Sequence, residues 1–235
     1  MKRALLVSGG FGMRLRPLTN VIPKTLLPIG NETMLERQVR ALERYGFEEI
    51  YVSIHYLSTL FRALLDQIGS RCRAKLIIVE EVYPTGSFGS AINLCRGLAA
   101  SGDDQPLLVI NADVFTDIDL GDVYRRLDEH CMSVVIQHYE HQIPYGVAEI
   151  RDDELCAVEE KPIRMFPILA GIYCVRPRIH AFLPESFERI GVDEVIDALL
   201  KHGERIGIYL HTGNWLDTGT LEDLVKANDF VRAQS

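Results

Sequence analysis

One stretch of the chain, SGGFGMRLRPLTNVIPKTLLPIG over residues 8–30, sets Gly9, Gly10 and Gly12 beside Arg14, Arg16 and Lys24. Glycine lets backbone N–H groups come close to an anionic oxygen, because no Cβ stands in the way. Arginine offers phosphate a planar fork, and lysine a compact point charge. Bare backbone beside three cations therefore points to a polyphosphate. Two familiar phosphate-binding patterns are absent: there is no GxxxxGK[ST] loop, and Gly9-Gly10-x-Gly12 is not the GxGxxG of dinucleotide binders. Pro17, Pro23 and Pro28 predict an extended, ordered loop. A surface loop with solvated arginines is the bland alternative. It fits poorly with a glycine-rich turn that follows a strand directly.

That strand is RALLVSG (3–9), and the elements after it alternate. ETMLERQVRALERYG (32–46) places Leu35, Val39 and Leu42 on one helical face, with Gly46 able to end it. EEIYVSIH (48–55), AKLIIVEE (74–81) and PLLVINAD (106–113) read as buried strands, LSTLFRALLDQIG (57–69) and SAINLCRGLAA (90–100) as helices. This order predicts an α/β, doubly wound, mostly parallel (mixed) sheet with helices on both faces, Rossmann-like in outline. Ligands of such sheets bind at the carboxyl ends of the strands, where residues 8–30 begin. After a helix near 120–129 the texture changes. MSVVIQHY, GVAEIRDDELCAVEEK and PILAGIYCV suggest an antiparallel extension, followed by a helix (192–203), a strand (205–213) and a closing helix (221–234). With no Gly-, Ser- or Pro-rich linker, one continuous domain over 1–235 is expected. Within it the texture divides the chain into 1–130, 131–220 and a closing helix, 221–235.

Composition narrows the partners. A net charge of −8 argues against nucleic acid as ligand, since such proteins carry a basic face. No apolar run is long enough to span a membrane, and Met1-Lys2-Arg3 leads into too short an apolar run for a signal peptide. Five scattered cysteines without a CxxC pair read as reduced thiols of a cytoplasmic protein, and zinc is not expected. No Ser/His/Asp or Cys/His set stands out.

GGFGMRLRPLT…PKTLLPIG resembles the signature of the sugar-1-phosphate nucleotidylyltransferases, closest in style to the mannose and heptose guanylyltransferases. The likeness runs along the whole chain: YPTGSFGSA (83–91), INADVF (110–115), YGV (145–147), VEEKP (158–162), AGIY (170–173) and WLDTGT (215–220) follow the family's order. The resemblance implies condensation of a nucleoside triphosphate with a sugar 1-phosphate, releasing pyrophosphate, and makes 1–130 the nucleotide-binding part and 131–220 the sugar-binding part. It assigns Mg²⁺ to Asp113 and Asp217. Triphosphate binding and leaving-group charge fall to Arg14 and Lys24, with Gly9, Gly10, Gly12, Gly86 and Gly89 around the nucleotide. Lys161 would grip the sugar phosphate, Glu160 the sugar hydroxyls, with Gly146 and Gly171 near the ring. Taken singly, Asp113 could cap a turn and Asp217 the last helix. Arg16 has the weakest claim of the loop cations. Oligomers are common in the family, so a homodimer is expected; after WLDTGT only one helix follows, which implies no acyltransferase module or regulatory extension of the family's longer type.

Glu81 stands where relatives place a base-contacting residue. A carboxylate only accepts hydrogen bonds, which suits the adjacent N1–H and 2-amino donors of guanine. GTP is therefore favoured, with uridylyl or thymidylyl transfer as the alternative. The sequence departs from the family pattern at Phe11, Met13, Ser87-Phe88, Ala112 and Leu169. These departures are expected around the base and sugar pockets, and to select an unusual sugar such as a heptose or cyclitol phosphate. The charged groups are intact, which favours an active enzyme over a catalytically silent nucleotide-sugar-binding subunit. The absent P-loop and dinucleotide fingerprint speak against an unrelated kinase or dehydrogenase.

Overall fold

The computed structural model describes residues 1–55 and 57–233. The chain begins with β1 (Lys2–Val7), whose Ala4, Leu5 and Leu6 are fully buried, as a central parallel strand requires. The short strands β2 (Pro28–Ile29) and β3 (Glu32–Thr33) then lead into α1 (Met34–Arg44). Thr33 and Glu36 form a capping box at its start. Leu35, Val39 and Leu42 are buried as their spacing predicts, and Gly46 carries the chain out at φ +78°. Burying each such side chain contributes about 1.5–3 kcal/mol.

The alternation continues through β4 (Phe47–Ile54), α2 (Ser58–Gly69), β5 (Lys75–Glu80), α3 (Gly89–Ala100), β6 (Leu107–Asn111), β7 (Val114–Thr116) and α4 (Leu120–Arg125). Next come β8 (Met132–Gln142), the hairpin β9 (Gly146–Arg151) and β10 (Glu154–Glu160), and β11 (Ile163–Val175). The chain finishes with α5 (Val192–Lys201), β12 (Ile206–His211), β13 (Trp215–Asp217) and α6 (Leu221–Arg232). Seven strands form one mixed sheet in the order β12-β8-β11-β6-β1-β4-β5. Only β11 runs against its neighbours in it, so the α/β, Rossmann-like expectation holds. One core, with Leu42, Ile50 and Phe61, fills one face of the sheet; a second, with Phe88, Ile92 and Leu199, fills the other. From β1 the chain turns first toward β4 and β5, then returns to β6 on the opposite side, so a crevice opens between β1 and β6 at their carboxyl ends.

Three expectations need correction. Residues 8–30 are not an extended loop. They wind through three 3₁₀ turns, Met13–Leu15, Leu18–Asn20 and Lys24–Leu26, because Gly12 adopts φ +59° and Pro17 and Pro23 stand at the starts of the second and third. The Thr19 hydroxyl ties the first two turns together by donating to the Gly12 carbonyl at 2.8 Å. The strand expected from Pro167 starts at Ile163 instead: β6 pairs only with Ile172–Val175, so Pro167, opposite His138 of β8, lies where β11 has a neighbour on one side only, the edge setting in which strands accept proline. Finally, two of the departures from the family pattern do not face a pocket. Ala112 is fully buried, and Phe88 packs edge-on against Tyr173 at 5.3 Å inside the second core.

Four of the five thiols fall into two groups. Burial pushes Cys95 up to about 12 and Cys131 up to about 11, and raises Cys174 as well, while Cys156 is exposed. Ellman titration of the native protein is expected to modify Cys156 quickly and these three only after denaturation. Rapid loss of more than two thiols under native conditions would contradict the packing.

Candidate active site

Asp113 and Asp217 lie more than a hundred residues apart in sequence. They meet because β7 and β13 form a small antiparallel ladder in which Asp217 lies opposite Val114. Thr218 fastens the corner, donating its N–H (3.0 Å) and its hydroxyl (2.8 Å) to the Asp113 carbonyl. Asp217 does not cap the last helix; Thr220 does, accepting the Asp223 N–H.

The third 3₁₀ turn brings Lys24 into the same corner. Its ammonium donates to Asp113 Oδ2 at 2.5 Å and to Asp217 Oδ1 at 3.2 Å. Arg14 reaches the other oxygen of Asp217 at 3.3 Å. The Lys24 side chain is 11% exposed, and those of Asp113 and Asp217 29% and 40%. Such a corner is reachable from solvent yet dry enough for charges to act strongly. Gly219 makes room for it: a Cβ there would overlap Arg14 Nη2 and stand 3.0 Å from Asp217 Oδ1. The guanidinium is a flexible tip, so Gly219→Ala is expected to leave thermal stability nearly unchanged. By displacing Arg14 it would lower kcat/KM about 10-fold, an effect that vanishes in an Arg14→Ala background. Equal losses in both backgrounds would remove Gly219 from this role.

Gly10, Gly12, Arg14, Lys24, Asp113 and Gly219 line one cavity of about 230 Å³. A second, of about 470 Å³, continues from it along Gly9, Gly10 and Phe11 to Glu81 and Gly86, floored by Asn111 and Asp113. A larger hollow of about 910 Å³ lies beyond Glu81 and Pro84, away from the paired cations and carboxylates. Glu81 already holds Thr85 N–H on Oε2 (3.0 Å) and the Ser90 hydroxyl on Oε1, while its carbonyl accepts from His55 Nδ1 at 2.9 Å. Each carboxylate oxygen retains a lone pair for a ligand donor. Gly86, at φ +91°, lets the backbone of Ile190 pass against the turn, and Gly89 is packed just as closely on Thr85.

The sequence reading missed Asn111 and Arg189. Arg189 lines the larger part of the cleft from a segment with no periodic pattern. It is positioned by Ile190, which exchanges hydrogen bonds with Thr85 (2.9 Å) and Phe88 (3.1 Å). Asn111 ends β6, a place where strand-end residues meet ligands, and that was the available signal. Arg16 lines neither cavity of the cleft. Gly171, at φ +73°, is buried against Asn111 beneath the cleft. Gly146 and Glu160 are directly paired across the β9–β10 hairpin. Lys161 follows at φ +48°, an uncommon conformation for lysine. These three are grouped, but outside the walls of both cleft cavities.

A strand-end crevice with a glycine-rich loop, paired carboxylates and facing cations is the architecture of a nucleotide-binding transferase. The chain belongs to the nucleotidyl transferase family, whose model matches residues 3–234. It is 29% identical to the probable mannose-1-phosphate guanylyltransferase 1 of Oryza sativa subsp. japonica, over 95% of this chain and 63% of that protein. It thus spans under two thirds of the curated relatives it matches. Among solved structures it is similar to HddC from Yersinia pseudotuberculosis, with a TM-score of 0.76 at 21% identity over 98% of this chain and 100% of that one. HddC is also known in complex with GMP-PN. A putative glucose-1-phosphate thymidylyltransferase from Bacillus anthracis matches with a TM-score of 0.76 at 22% identity, over 99% and 96% of the two chains. No helix among the described residues is long and apolar enough to cross a membrane.

Proposed function

We propose that the protein transfers a nucleoside monophosphate from an NTP, with GTP favoured, to a sugar 1-phosphate of mannose or heptose type, releasing pyrophosphate. The observation that carries this reading is the meeting of Lys24 with Asp113 and Asp217 at the mouth of the glycine-rich loop. Uridylyl or thymidylyl transfer is the alternative at the base.

Both reactants are anions, so positioning and charge do most of the work. Backbone N–H groups at Gly9, Gly10 and Gly12 would cradle the triphosphate. Arg14 and Lys24 would take up charge as the bond from the α-phosphorus to the bridging oxygen breaks, each worth about 2–4 kcal/mol in the transition state. Glu81 would accept from the Watson–Crick edge of guanine. Arg189 would add a cation near the reacting phosphate, and Lys161 with Glu160 would bring the sugar phosphate to it from the hairpin. The φ of +48° at Lys161 supports this reading, since strained backbone is often found at functional sites.

Asp113 and Asp217 fit Mg²⁺: two hard oxygen donors already converge on one cation, and among the described residues no cluster of three or more His, Cys, Asp or Glu side chains offers a fuller ligand set. When bound, Mg²⁺ would polarise the α-phosphate and offset its charge. The test is pyrophosphate release with Mg²⁺, crossing the four common NTPs and dTTP with mannose, glucose, N-acetylhexosamine and manno-heptose 1-phosphates. GTP with mannose or manno-heptose 1-phosphate is expected to be fastest. Turnover best with UTP or dTTP would overturn the base assignment, and glucose 1-phosphate as best acceptor the sugar assignment.

A further inference from the structure

Lys24 is committed. An ammonium has three protons, and two of them are directed at Asp113 and Asp217. Arg14 takes the remaining side of Asp217. The cation meant for a triphosphate is thus held by the carboxylates meant for a metal, and the carboxylates are held by it. Both Lys24 and Asp113 line the 230 Å³ cavity shared with Gly10 and Gly12, so the ammonium can turn toward a phosphate seated there without leaving that cavity. Its Cβ lies beside Gly12, whose missing side chain leaves the loop close to Lys24: a Cβ there would stand 3.2 Å from Lys24 Cβ.

We propose that Lys24 is an internal counter-ion that competes with the divalent cation for Asp113 and Asp217, and that the incoming triphosphate lifts this competition by drawing Lys24 away. The inference rests on the metal-dependent reading above and deepens it. The physical reason is charge balance. Two carboxylates facing one point repel each other, and one ammonium between them relieves that repulsion. A divalent ion arriving alone must break two charge-assisted hydrogen bonds and then sit beside a displaced like charge. A triphosphate supplies the replacement partner, so the site accepts metal and nucleotide together and resists metal alone.

The test uses Mn²⁺ alone, without nucleotide, titrated into the protein at constant ionic strength. Free Mn²⁺ is read by electron paramagnetic resonance. The fluorescence of Trp215, the chain's single tryptophan, placed two residues before Asp217, gives an independent signal. Lys24→Gln is expected to bind Mn²⁺ about tenfold or more tighter than the unaltered protein. Lys24→Arg, which keeps the charge, should stay near the unaltered value. Adding Asp113→Asn to Lys24→Gln should abolish the gain, which locates it at the carboxylates. Thermal melting of each variant identifies any that fails to fold, and Lys24→Met then replaces Lys24→Gln. Equal or weaker Mn²⁺ binding by a folded Lys24→Gln protein overturns the competition while leaving the proposed reaction standing. Absence of Mn²⁺ binding by every variant removes the metal site, and the inference with it.

Discussion

Asp113→Asn is expected to lower kcat for pyrophosphate release about 10³-fold while the protein stays folded. The asparagine keeps the size of the side chain. It also keeps the backbone carbonyl that holds Thr218, so the corner between β7 and β13 should survive. What is lost is one of the two charges facing Lys24, and with it the carboxylate proposed to hold the metal. Removing a single preorganised charge contact from a transition state commonly costs about 10²–10³ in rate. Here one residue is asked both to hold a cation and to orient Lys24, which places the expectation at the upper end. Steady-state kinetics with Mg²⁺, paired with thermal melting, decides it. An Asp113→Asn protein that is folded and turns over within a factor of about 5 of the original would remove Asp113 from the centre of the chemistry.

The largest effect on stability is expected at Gly86. Two costs meet there. Its φ of +91° is strained for any residue with a Cβ, and that Cβ would overlap the Ile190 carbonyl oxygen and stand 2.9 Å from Ile190 N and C. The obstacle is backbone, which cannot rotate aside as a side-chain tip can. It belongs to the segment that carries Arg189. Gly86→Ala is therefore expected to destabilise by about 3 kcal/mol, roughly 6–12 °C in Tm, and to weaken nucleotide binding as the strap from Ile190 is pushed off the turn. Gly46 supplies the control. It has φ +78° but nothing within 4 Å of a Cβ, so Gly46→Ala should cost only about 1 kcal/mol of backbone strain. Equal losses at the two positions would mean that the approach of Ile190 is not tight.

Local pattern made much of this legible in advance. The spacing of Leu35, Val39 and Leu42 specified a helix and its buried face, and the run Ala4-Leu5-Leu6 a central strand, because periodicity in burial follows from backbone geometry alone. The glycine and cation cluster marked residues that the fold does gather around one cavity. Where reading failed, the deciding contact was distant in the chain. Nothing near Pro167 says that β6 stops pairing before reaching it. Nothing near residue 189 says that Ile190 will hydrogen-bond to Thr85, so the local sequence gives no sign that Arg189 lines the cleft. Phe88 and Ala112 sit inside motif segments, which made them look like pocket residues, and only packing reveals that they face the core.

The order of residues was thus enough to dictate the class of fold, the place of the glycine-rich loop at the end of β1 and the chemical types gathered around it, since these depend on short-range periodicity, glycine freedom and charge. The tertiary structure alone decided which charges touch. It closed β7 on β13 so that Asp113 and Asp217 share Lys24, turned residues 8–30 into tight 3₁₀ turns, and drew Arg189 over the cleft. Contacts between residues a hundred positions apart are set by how the whole sheet and its helices pack, and no local stretch of sequence encodes that packing.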